Sequence, residues 1–146
     1  MYRIRKSITS DLAHAMISAA EAKAHELGVA VNIAIVDESG HLKAFSRMDG
    51  APILSIEIAV NKAYTAVAFG LPTQEWYGLI KDEPSLLYGI THTPRLVIFA
   101  GGYPIRVDGE IIGGIGVSGG TLEQDIACAQ AALAVLASRK GGGEER

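Results

Sequence analysis

Cysteine is almost absent from this chain. Cys128 stands alone, so no disulfide can close within it, and the lack of C-x-x-C and C-x-x-C-H excludes a thioredoxin-type pair and thioether-linked haem. Any haem would have to bind noncovalently. A basic excess is also missing: 13 lysines and arginines face 16 aspartates and glutamates, for a net charge of -3. That is no footprint for a nucleic-acid backbone. No stretch approaches the roughly 20 apolar residues that span a bilayer, so a membrane partner is not expected. Arg3, Arg5 and Lys6 are not followed by the apolar run of a secretory signal, and the expected compartment is the cytoplasm. H-E-x-x-H is absent, which removes the familiar zinc-peptidase chemistry, and familiar hydrolase chemistry is not indicated. The four histidines have no metal-site spacing: His14 and His25, eleven residues apart on one helix, would lie about 16 Å from each other.

What remains is a chain of 146 residues, 49% of them hydrophobic, a size that buries a real core in one domain. The expected domain is 1–139, with the Gly- and Glu-rich 140–146 as a disordered tail. Ile8, Leu12, Ala15, Met16, Ala19 and Leu27 recur at helical spacing, with Thr9 or Ser7 as cap and Gly28 as stop. The β-branched run 31–36, the turn Glu38-Ser39-Gly40 and residues 41–48 predict a hairpin. A helix over 55–69 ends at Gly70, and a short one follows over 73–81. Residues 95–100 read as a strand, and 103–107 with 110–117 as a hairpin about Asp108-Gly109, a favoured type I′ pair. Thr121 and Gln124 have capping-box spacing at the start of a final helix. The predicted order α-β-β-α-α-β-β-β-α gives an antiparallel five-stranded sheet covered by helices, an α/β sandwich.

The middle helix carries only Glu57 and Lys62 as formal charges. A helix apolar nearly all round is central to a large core or covered by a second subunit, and this chain is small, so a homo-oligomer is expected. Lys62 shares its stripe with Ile58, Ala66 and Phe69. A cation there requires Glu57, Asp49, Asp125 or an anionic ligand as partner. Arg47 and Asp49 close the second strand in a loop that is either an exposed ion pair or a ligand clamp. Gly101-Gly102-Tyr103-Pro104 leaves amides that could face a carboxylate, or is a plain loop. Gly114-Ile115-Gly116-Val117-Ser118-Gly119 matches a dinucleotide fingerprint, but it follows a hairpin strand and no acid lies about twenty residues on. Gly119 and Gly120 still lie at a helix N-terminus that favours an anion. His41 and His92 are each either an axial haem ligand or polar surface.

Three stretches, 36–51, 55–70 and 101–125, resemble the GlcG/HbpS family, which includes the C-terminal domain of PduO-type proteins. The resemblance spans nearly the whole domain. It implies a profilin-like α/β fold, oligomers from dimers upward, and one of several uses: haem binding or degradation, a role beside the glycolate operon, or diol and corrinoid metabolism. The shared motifs mark Arg47, Asp49, Lys62, Gly101, Gly102, Gly119, Gly120 and Asp125 as pocket residues, with His41 where the family often has histidine. Three functions are therefore weighed. The first is a small-molecule-binding protein for haem or a related tetrapyrrole, with Arg47 or Lys62 meeting propionates. The second is an enzyme on a small organic acid or diol-derived metabolite, with Lys62, Asp49 and Asp125 as acid/base groups. The third is an accessory module that binds another protein.

Overall fold

The computed structural model describes residues 1–139, so the expected tail at 140–146 lies outside the described residues. The first helix, α1 (Ser10–Leu27), starts where the Thr9 hydroxyl accepts the Leu12 amide at 3.2 Å, and Gly28 closes it in the left-handed region. A hairpin follows, β1 (Asn32–Asp37) with β2 (Leu42–Arg47), then the long helix α2 (Leu54–Phe69). A single 3-10 turn at Thr73–Glu75 leads into two short helices, α3 (Trp76–Ile80) and α4 (Pro84–Gly89), and a second such turn spans Ile90–His92. Among the described residues, the hairpin β3 (Gly102–Val107) and β4 (Glu110–Ser118) and helix α5 (Leu122–Ser138) come last.

The strands form one antiparallel sheet in the order β2-β1-β4-β3. It has four strands, not the five expected. Residues 95–100 are not a strand, because their backbone is satisfied elsewhere. The Thr65 hydroxyl donates to the Arg95 carbonyl and accepts the Val97 amide, both at 3.1 Å, and the Leu96 amide closes a turn onto Thr93 O at 3.2 Å. Short helix α4 was also not foreseen. The Asp108-Gly109 turn does have positive φ at both central residues, 52° and 80°, as a type I′ turn requires.

Strand alternation sets the layers. Ile33, Ile35, Ile115 and Val117 point to the side covered by α1 and α5, joining Met16, Ile17, Cys128 and Ala129 in the larger core. Ala34 and Val36 point the other way, to Ala59 and Ala63 of α2. On that face β4 presents Gly114 and Gly116. A Cβ at Gly114 would lie 2.6 Å from the Ala63 carbonyl, and one at Gly116 would overlap the Ala59 carbonyl oxygen. The G-x-G-x-x-G run is therefore a packing device that lets a helix lie directly on the sheet.

Helix α5 begins with the capping box read from sequence: Thr121 Oγ1 accepts the Gln124 amide at 3.2 Å, and Gln124 Oε1 accepts the Thr121 amide at 2.9 Å. Thr121→Ala should lower stability by about 0.5–2 kcal/mol, read as a lower urea midpoint with unchanged slope. No loss would mean that water replaces the cap.

Candidate functional site

Lys62 is wholly buried, and its amine makes two hydrogen bonds. Nζ donates to the Val117 carbonyl at 2.8 Å and to Asp125 Oδ2 at 3.1 Å, and it stands 5.1 Å from the centre of the Phe99 ring. Asp125, 2% exposed, also accepts the Gly120 amide on Oδ1 at 3.0 Å. Loss of hydration on burial holds Lys62 below the usual ammonium range and Asp125 above the usual carboxylate range. Their mutual attraction opposes both shifts. The pair is a strut between α2, β4 and α5.

Of the glycines singled out from sequence, Gly101, Gly102 and Gly120 lie at that strut, whereas Gly119, with φ 132°, passes close to Ala30 and Val31. Gly101 has φ 125°, and a Cβ there would lie 2.5 Å from Val117 O and 2.8 Å from Lys62 Nζ, so only glycine allows the chain to cross the lysine. Gly102 passes equally close to the Lys62 carbonyl, and its amide donates to Thr73 Oγ1 at 2.9 Å. At the α5 N-terminus the Gly120 amide goes to Asp125 and the Thr121 amide to Gln124. These amides are thus spoken for within the fold. Cys128 is buried nearby, and its thiol is pushed up to about 11, chiefly by burial and then by the Asp125 charge. It is no nucleophile at neutral pH.

Arg47 and Asp49 lie elsewhere. With Glu21, His25, Ser46 and Met48 they line an open hollow of about 270 Å3 between α1 and β2. The Ser46 hydroxyl donates to Glu21 Oε1 there. His41 sits exposed at the first hairpin, 3.8 Å from Asp37 Oδ1. Hence the expected pocket set divides among three places: the Lys62–Asp125 strut, the α1–β2 hollow and the hairpin turn. Among the described residues, no three His, Cys, Asp or Glu side chains are grouped to hold a metal ion. None of the described helices is long and apolar enough to cross a membrane.

A further cleft went unnoticed in the sequence. It holds about 160 Å3 at the C-terminal end of α2, lined by Tyr64, Thr65, Phe69, Trp76, Pro94 and Leu96 among others. Phe69 and Trp76 pack ring to ring at 4.6 Å, and Trp76 is 5% exposed with a buried Nε1–H that has no acceptor. Arg95 lies over the Tyr64 ring at 3.7 Å. The single tryptophan was the one available signal, and nothing in the local sequence joins it to Tyr64 or Arg95.

The family model described as "Haem degrading protein HbpS-like" matches residues 8–134. The chain belongs to the GlcG/HbpS-like family. Within it, the chain is 43% identical over 129 residues to an uncharacterized 15.0 kDa protein of the dhaT-dhaS intergenic region of Citrobacter freundii, covering 87% of this chain and 90% of that one. Klebsiella pneumoniae ORFY has the same fold, with a TM-score of 0.89 at 38% identity and coverage of 94% and 95%. The PduOC:heme complex aligns with a TM-score of 0.81 at 39% identity, covering 88% of this chain and 94% of that one. This GlcG/HbpS-like chain therefore shares a fold with a relative whose crystal structure is a haem complex.

Proposed function

We propose that this protein binds a tetrapyrrole, haem first among them, noncovalently in the cleft at the C-terminal end of α2. The observation that carries the reading is the aromatic wall that Tyr64, Phe69 and Trp76 give the cleft. An apolar cleft with few polar groups is the usual form of a cofactor site. Membership in a family described by haem degradation, and likeness to PduOC in its haem complex, support it. His92 stands one residue before Thr93 of the cleft wall and would supply an imidazole for the iron. The other histidines are worse placed: His14 bonds to the Ser10 carbonyl on α1, His25 faces the polar hollow, and His41 faces Asp37. Lys62 is buried with its amine on Val117 O and Asp125, which favours another cation for the propionates, and Arg47 opens on the α1 side of the sheet.

The cleft is smaller than the roughly 300–1,000 Å3 of pockets that enclose a drug-sized ligand. A macrocycle therefore enters by one edge, and we assign the rest of its cover to a second copy of the chain. The exposed outer residues Ile53, Leu54 and Phe69 of the α2 segment favour such a homo-oligomer. Haemin titration should give a shifted Soret band, and His92→Ala should change that band. The spectrum of free haemin throughout, or a shift that no single histidine replacement alters, would refute the proposal.

A further inference from the structure

We propose that Arg95 is a preset clamp for a carboxylate on the ligand whose apolar part occupies this cleft, an inference that rests on the cleft being the ligand site. Thr93 to Leu96 form a turn with Pro94 second and Arg95 third, closed by the Leu96 amide on Thr93 O. Arg95 has φ 70°. That is the position of a type II turn where glycine or asparagine belongs, because a Cβ is strained there. The other non-glycine residue with positive φ among the described residues, Asp108, sits in a hairpin turn that favours aspartate. An arginine kept at a strained position, on an exposed turn that glycine would make more easily, is held for its side chain.

That residue is fixed at three points, two on its side chain and one on its backbone. Asn61 Oδ1 accepts Arg95 Nε–H at 3.1 Å, the Tyr64 ring lies 3.7 Å beneath the guanidinium, and the Thr65 hydroxyl donates to the Arg95 carbonyl. Asn61, Tyr64 and Thr65 share one face of α2 by their i, i+3, i+4 spacing. Among the described residues the two terminal nitrogens of Arg95 have no acceptor. A guanidinium with Nε occupied and both Nη groups unpaired is a two-pronged donor suited to a carboxylate. It stands over Tyr64, and its chain neighbours Pro94 and Leu96 form the cleft wall. The ligand class is a flat apolar body bearing a carboxylate, and on a tetrapyrrole that carboxylate is a propionate.

The test compares wild type, Arg95→Gln and Arg95→Gly with three probes: haemin, haemin dimethyl ester and pyrenebutyrate. Haemin should bind Arg95→Gln about tenfold or more weakly, as expected for a lost charge-assisted hydrogen bond. The ester, lacking the carboxylates, should bind wild type and variant alike. Arg95→Gly should unfold at or above the wild-type midpoint temperature while binding haemin weakly, because strain is relieved as the clamp is lost. Unchanged haemin affinity in Arg95→Gln, or a lower midpoint for Arg95→Gly, overturns the clamp and leaves haem binding intact. Pyrenebutyrate bound by wild type and lost in Arg95→Gln, with no haemin binding, upholds the clamp and ends the tetrapyrrole reading. Binding of no probe ends both.

Discussion

Lys62→Met is expected to cost about 3–5 kcal/mol of stability, the usual result of removing one member of a buried ion pair. The substitution would leave Asp125, 2% exposed, without its cation and the Val117 carbonyl without its 2.8 Å donor. Urea unfolding should show a much lower midpoint with little change in slope. The double variant Lys62→Met/Asp125→Leu should lose clearly less than the sum of its single variants, since neither buried charge is then orphaned. Linkage adds a dependence on pH. Asp125, held above the usual carboxylate range, adds stability at low pH that is lost as pH rises through its folded value. Lys62, held below the usual ammonium range, adds stability at high pH that is lost as pH falls through its folded value. A wild-type midpoint for Lys62→Met would show that the strut carries no weight.

Gly116→Ala should be comparably damaging. Its Cβ would overlap the Ala59 carbonyl oxygen and lie 2.6 Å from the Ala63 amide nitrogen, both rigid backbone atoms of α2. Side chains cannot rotate away to relieve that contact, so the helix must lift from the sheet and open the packing around Ala34 and Val36. Overpacking commonly costs about 1–3 kcal/mol when neighbours can adjust, and a backbone clash should reach or exceed the upper end. Gly78→Ala is the control. Gly78 is exposed within α3, with nothing within 4 Å of an added Cβ, and alanine is the better helix former by about 1 kcal/mol. If the two variants unfold at the same urea concentration, close α2–β4 packing is not what the glycines provide.

These effects mark what could be read from the residues alone. Thr9, Gly28, the Asp108-Gly109 turn and the Thr121/Gln124 box were legible because caps and tight turns are decided within a few residues. Lys62 stood out as a lone cation on an apolar stripe, and Asp125 was among its four suggested partners. The reading of 95–100 as a strand failed because its hydrogen bonds run to the Thr65 hydroxyl, thirty residues away. The glycines at 101, 102, 119 and 120 suggested free amides. At 101 and 102 the need for glycine comes from the approach of Lys62, a tertiary fact that no local pattern carries. For the same reason the cleft stayed hidden, since Tyr64, Trp76 and Arg95 meet only once α2, α3 and the following turn are folded together.

The cleft is tested most directly by the indole N–H resonance of the only tryptophan, followed in two-dimensional 1H–15N spectra as gallium protoporphyrin IX, a diamagnetic stand-in for haem, is added. A ligand seated against Tyr64, Phe69 and Trp76 should shift that peak strongly, together with the amides of Thr65 and Leu96. An unmoved indole peak, with changes confined to Glu21, His25, Arg47 and Asp49, would contradict the account.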